Sequence, residues 1–97
     1  MSTIPHFIDG QRTDGTSNRF GDVFNPATGE VASQVPLATA AEVHAAVQNA
    51  KAAFPGWAAT PPAQRARILF RYQDLLMQNM DMLARVVSSE HGKTIDD

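Results

Sequence analysis

Cysteine is missing from all 97 residues, which excludes disulfides, thiolate metal ligation and a cysteine nucleophile within this stretch of chain. Such a composition suits a reducing compartment, and a cytoplasmic location is the expectation. Basic residues are not in excess, since eight Lys and Arg stand against ten Asp and Glu for a formal charge of -2. Without surplus cations to displace counterions from a phosphate backbone, nucleic acid is not the expected partner. Arg, Gln and Asp interrupt every apolar stretch well short of the roughly twenty residues that a bilayer-spanning helix needs, so no membrane anchor is expected. Residues Met1 to Phe7 carry no basic region ahead of an apolar core, and the first part of the chain lacks the Arg-rich, acid-poor character of a mitochondrial presequence. Neither G-x-G-x-x-G nor G-x-x-x-x-G-K-[ST] occurs, so no glycine loop is present to cradle a phosphate.

What is present is ordinary globular material, 43% hydrophobic and 19% charged, at a length where an apolar core is thin. Two textures divide it, an extended, turn-rich segment over 1–38 and a helical segment over 39–97. In the first, Phe7-Ile8 leads into Asp9-Gly10, a pair suited to the positive φ angles of a tight hairpin turn, with Gln11-Arg12 returning. Arg19 to Phe24 reads as another short strand. Asn25-Pro26-Ala27-Thr28-Gly29 then supplies a turn, and Val31, Ser33 and Val35 alternate against Ala32 and Gln34 as its partner.

The helical segment opens on Thr39, three residues before Glu42, the spacing of a reciprocal capping box. Val43, Ala46, Val47, Ala50, Ala53 and Phe54 make a narrow apolar face, and Pro55-Gly56 is expected to end this helix. A second helix is expected to start with Thr60 as N-cap and Pro61 at its first position, with Ile68, Leu69, Tyr72, Leu75 and Leu76 on its apolar side. A third, near Asn79 or Asp81, carries Met82, Leu83, Val86 and Val87 and stops at His91-Gly92. Thr94 and Asp97 have the spacing of one more N-cap pair, so the last residues read as the start of a helix whose body is missing, leaving the segment incomplete at its C-terminus.

Little here carries chemistry. His6, His44 and His91 are far apart in sequence and none has the spacing or the neighbouring carboxylates of a metal site. Gly92-Lys93-Thr94 copies only the tail of a phosphate loop. Arg65, Arg67 and Arg71 read as a solvated face rather than an anion patch. Met77, Met80 and Met82 read as gap-filling residues. Ser88-Ser89-Glu90-His91 brings the right functional groups together in sequence, but adjacent helical residues diverge and cannot form a triad.

The order of pieces is more telling than any one of them. F-I-D-G-Q at Phe7 to Gln11, F-N-P-A-T-G-E at Phe24 to Glu30, V-P-L-A-T-A-A-E-V at Val35 to Val43 and A-A-F-P-G-W at Ala52 to Trp57 follow one another. R-A-R-I-L-F-R-Y-Q-D-L-L at Arg65 to Leu76 and S-E-H-G-K-T at Ser89 to Thr94 complete the series. The chain resembles the aldehyde dehydrogenases nearly end to end, and most of all their coenzyme A-acylating branch, which acts on methylmalonate and malonate semialdehyde. The resemblance implies an α/β fold in which short hairpin strands precede three helices, at the front end of the cofactor-binding domain. It implies a much longer parent of which this is about the first fifth, with NAD as cofactor, coenzyme A as co-substrate, and assembly as a homo-oligomer, dimer or tetramer. The family's catalytic cysteine and glutamate lie downstream, so no catalytic or cofactor-binding residue is expected here and the chain alone is expected to be inactive. By the same resemblance, the Phe24 carbonyl and Glu90 are candidate ligands of a monovalent cation. The alternatives are a branch that hydrolyses its thioester and a small interaction module derived from this front end.

Overall fold

The computed structural model describes residues 2–96. Five short strands, β1 (Ser2–Thr3), β2 (His6–Ile8), β3 (Gln11–Thr13), β4 (Phe20–Phe24) and β5 (Val31–Pro36), precede three helices, α1 (Ala40–Ala59), α2 (Pro62–Gln78) and α3 (Met80–His91). This is the mixed α/β arrangement that the resemblance implies.

Strands β2 and β3 form the first hairpin, with Ile8 opposite Gln11. Asp9 and Gly10 occupy its turn at φ 54 and 72, the pair of left-handed conformations whose twist matches the strands they join. The second hairpin is β4 with β5, Asp22 opposite Gln34 and an irregularity between Val23 and Phe24. Its turn is held by Asn25, whose side-chain oxygen accepts from Ala27 N at 2.8 Å and whose carbonyl accepts from Gly29 N at 2.8 Å. Across the pair, Gln34 donates to Asp22 Oδ1 at 2.9 Å. Strand β1, which no periodicity announces, lies parallel to β5 with Ser2 opposite Ser33 and makes β5 the central strand of three. Ser33 and Pro36 of β5 are buried.

Helix α1 has the capping box the sequence predicts: Glu42 N donates to Thr39 Oγ1 at 3.1 Å, and Thr39 N donates to Glu42 Oε1 at 3.0 Å. Thr39→Ala should cost about 1 kcal/mol by deleting that acceptor, read as faster hydrogen exchange of the Glu42 amide with the rest of α1 unchanged.

The far end of α1 corrects two expectations. The helix does not stop at Pro55 but runs through it to Ala59. A proline's fixed φ is helical, and its cost is the donor lost to the carbonyl four residues back. That carbonyl belongs to Lys51 on an exposed turn, where water can take the place of the missing N–H. The stop comes from Pro61, which forces the preceding Thr60 out of the helical region, to φ -68 and ψ 127. Thr60 therefore caps the end of α1 instead of the start of α2: its hydroxyl donates to the Gly56 carbonyl at 2.8 Å and its N–H to the Trp57 carbonyl at 3.0 Å. Helix α2 begins one residue later than expected, at Pro62, with no side-chain cap.

At the α2–α3 joint, Asn79 folds back, its side-chain amide donating to the Leu75 carbonyl at 2.8 Å. Helix α3 ends as expected at Gly92, in the left-handed region at φ 82. Ile95 and Asp96 then form a turn, and the expected capping partner Asp97 lies outside the described residues.

The molecule measures 48 × 39 × 15 Å. Its smallest extent is far below the other two, so the elements are spread out in a flattened shape rather than gathered around a core. The apolar stripes consequently have nothing on top of them. Phe54 is 68% exposed and Phe70 65%, and among the described residues no hydrophobic side chain is buried.

Candidate functional site

The densest meeting of polar groups lies where the loop after β3 reaches the start of α1. Ser17 donates to the Leu37 carbonyl and accepts from Arg19 N at 3.1 Å, while the Arg19 guanidinium donates to the Ala38 carbonyl at 3.4 Å. Leu37 N in turn donates to the Arg19 carbonyl at 2.8 Å. Next to this seam, Thr16 donates from both its amide and its hydroxyl to Glu42 Oε1, each at 3.4 Å. The carboxylate that caps α1 thus also receives a loop 26 residues away in sequence. Its pKa is held below the ordinary glutamate value, first by the Thr39 backbone N–H, with the Thr39 hydroxyl, the Thr16 amide and the charge of His6 acting the same way against partial desolvation.

His6 belongs to this cluster, which sequence reasoning missed. A Cβ placed on Gly15 would stand 3.2 Å from Glu42 Oε2 and 3.2 Å from His6 Nε2, so those two atoms are separated by no more than twice that distance. His6 Nε2 is shielded from solvent and has no hydrogen-bond partner. The histidine that appeared isolated along the chain is therefore beside a carboxylate in space. His44 and His91 remain on exposed helix surface.

The two candidate cation ligands lie on elements that touch. Phe24 closes β4 and Glu90 is in the last turn of α3, and a Cβ on Gly92 would stand 3.3 Å from Pro26 Cβ, so the end of α3 rests on the turn that follows Phe24. A carbonyl and a carboxylate are the hard oxygen donors a monovalent cation takes, and to that extent the residues fit. Among the described residues, no three His, Asp or Glu side chains converge as a metal site would require.

Concavities include one of about 350 Å³ at the α2–α3 joint, between Met77 and Met82, and one of about 330 Å³ between α3 and the Lys93–Ile95 segment. Ser89, part of the Ser-Ser-Glu-His run, spends its hydroxyl on the Val86 carbonyl of its own helix at 2.8 Å. Of the arginines, Arg65 keeps its Nε shielded and without a partner. Among the described residues no helix is long and apolar enough to cross a membrane.

Two hairpins, a capped first helix and two further helices follow one another in this order. The profile of the aldehyde dehydrogenase family matches residues 13–97, and the chain belongs to that family. It is 45% identical over its whole length to a malonate-semialdehyde dehydrogenase of Pseudomonas aeruginosa and covers 19% of that protein. Against the mouse mitochondrial methylmalonate-semialdehyde/malonate-semialdehyde dehydrogenase, an acylating enzyme, it is 44% identical over its whole length and covers 18% of that protein. Among solved structures, 99% of the chain superposes on 20% of the methylmalonate-semialdehyde dehydrogenase of Oceanimonas doudoroffii, with a TM-score of 0.91 and 45% identity. An NAD complex from Sinorhizobium meliloti 1021, provisionally assigned to the same enzyme, gives 0.93 and 56%, with 100% of this chain on 20% of that one. The chain thus spans about a fifth of the length of the relatives it matches.

Proposed function

We propose that these residues are the N-terminal portion of an NAD-dependent, coenzyme A-acylating methylmalonate- or malonate-semialdehyde dehydrogenase. The observation that carries this reading is the graded identity over nearly the whole chain. It is 56% and 45% for the two methylmalonate-semialdehyde dehydrogenase structures, then 38% for a succinate-semialdehyde dehydrogenase and 35% for a benzaldehyde dehydrogenase.

The overall reaction converts semialdehyde, coenzyme A and NAD to acyl-CoA, carbon dioxide and NADH. With no cysteine, these residues are assigned no thiol nucleophile and no bond-making step. Their part is architectural: the strand segment 1–38 and the helical segment 39–97 present exposed apolar faces on which the remainder of the polypeptide lies. Phe24 and Glu90 contribute one carbonyl and one carboxylate oxygen to a monovalent cation that ties the turn of the second hairpin to the end of α3. The whole enzyme is a cytoplasmic homo-oligomer.

The test is an assay of the full reading-frame product with methylmalonate semialdehyde and NAD, with and without coenzyme A. Propionyl-CoA, carbon dioxide and NADH should form together, and leaving out coenzyme A should lower steady turnover by about tenfold or more, because the thioester then lacks its acceptor. NADH release at an undiminished rate without coenzyme A, yielding the free acid, would assign the protein to a hydrolytic branch instead.

A further inference from the structure

We propose that the Glu42 carboxylate is an acid-releasable latch fastening the first hairpin and its following loop to α1, one oxygen holding the Thr39 and Thr16 amides and the other facing the His6 imidazole. A capping box needs only one carboxylate oxygen and only its own helix. Here that oxygen, Oε1, accepts from Thr39 N at 3.0 Å and also from the Thr16 amide and hydroxyl at 3.4 Å. The second oxygen, Oε2, points to the space beside Gly15 that His6 Nε2 also borders. A shielded ring nitrogen without a partner is costly, and a small movement of either side chain toward that shared space, or a single water between them, gives His6 Nε2–H an anionic acceptor.

The groups that face the carboxylate are few. From β2 the facing titratable group is His6; from the 14–19 loop it is the neutral Thr16 amide and hydroxyl, and from the start of α1 the neutral Thr39. All act as donors to, or favour, the ionised form, so protonating Glu42 weakens every one of these links together. The 3.4 Å bonds are near the long limit of a hydrogen bond, which makes them the first to go. The sign follows from the lowered pKa. In the window between the folded and unfolded values, the unlatched state binds more protons. The latch is therefore fully present above the ordinary glutamate range and is lost as the pH falls through the lower, folded value.

Hydrogen-exchange mass spectrometry on the full reading-frame product tests this, reading the segments 6–13, 14–19 and 39–43 separately. At neutral pH, Glu42→Gln should speed exchange in all three by about tenfold, and His6→Phe should speed the first two while sparing 39–43. Wild-type protein titrated downward through the lowered Glu42 value, after correction for intrinsic exchange chemistry, should come to resemble Glu42→Gln at neutral pH. If Glu42→Gln or acid loosens 39–43 alone, Glu42 is only a helix cap and the latch is wrong. If His6→Phe leaves 6–13 and 14–19 as they were, the imidazole has no part in it. The acid arm uses unaltered protein, so it decides the matter even where a variant does not fold.

Discussion

Produced as these 97 residues alone, the chain should bind a hydrophobic dye strongly, self-associate, and unfold over a broad range without a cooperative transition. Each large apolar side chain withdrawn from water contributes about 1.5–3 kcal/mol. Phe54, Ile68, Leu69, Phe70 and Leu75 stand between 53% and 68% exposed, so covering these five is worth on the order of 10 kcal/mol. That is comparable with the entire stability of a typical domain, about 5–15 kcal/mol. Two hairpins and three uncovered helices have no equivalent source, and exposed patches of this kind drive association. The measurements are dye fluorescence, light scattering and a thermal melt followed by circular dichroism. A monomer that ignores the dye and melts sharply would contradict both this expectation and the architectural role proposed for the helix faces.

Gly15→Ala should open the junction between the first hairpin and α1. Gly15 has φ +76, a conformation that costs an L-residue roughly 1–2 kcal/mol. The new methyl would also press on Glu42 Oε2 and His6 Nε2, each at 3.2 Å, and on His6 Cδ2 at 3.4 Å, which is tighter than relaxed packing allows. Both side chains must move, and the carboxylate cannot move far without leaving the Thr39 and Thr16 amides. Exchange of the 14–19 and 39–43 segments in the full reading-frame product should rise by about tenfold or more from the backbone cost alone, and Gly15→Val should be worse because its branched side chain is less tolerant of positive φ. Unchanged exchange in Gly15→Ala would contradict both the left-handed backbone at this position and the tight cluster around Glu42.

Features encoded by neighbouring residues were legible in the sequence. Asp9-Gly10 defines its turn by the φ angles it tolerates, and Thr39 with Glu42 forms its box within one helical turn. Gly92 likewise ends α3 where the periodicity stops. The misreadings occurred where two local rules competed. Pro55 looked like a stop and Thr60 like a start, but Pro61 overrode both by excluding Thr60 from helical geometry, and Thr60 turned its hydroxyl back to Gly56. Strand β1 was invisible because two residues with a partner some thirty positions away leave no periodic trace. The His6–Glu42 juxtaposition was hidden for the same reason, since only the loop through Gly15 and Thr16 brings the ring and the carboxylate together. The candidate site owes more to family wording than to local physics: nothing about Phe24 or Glu90 in isolation suggests an ion, and the contact that supports pairing them, Gly92 on Pro26, appears only once the chain is folded.

The parallel alignment of Ser2 and Thr3 with Ser33 and Gln34 makes the very start of the chain the last piece of its sheet to be satisfied. During synthesis their partner β5 emerges only after the first hairpin and β4. Until then they are an open thread, and once β5 arrives they close a ring around everything built in between. Removing Ser2 and Thr3 would leave one side of β5 bare.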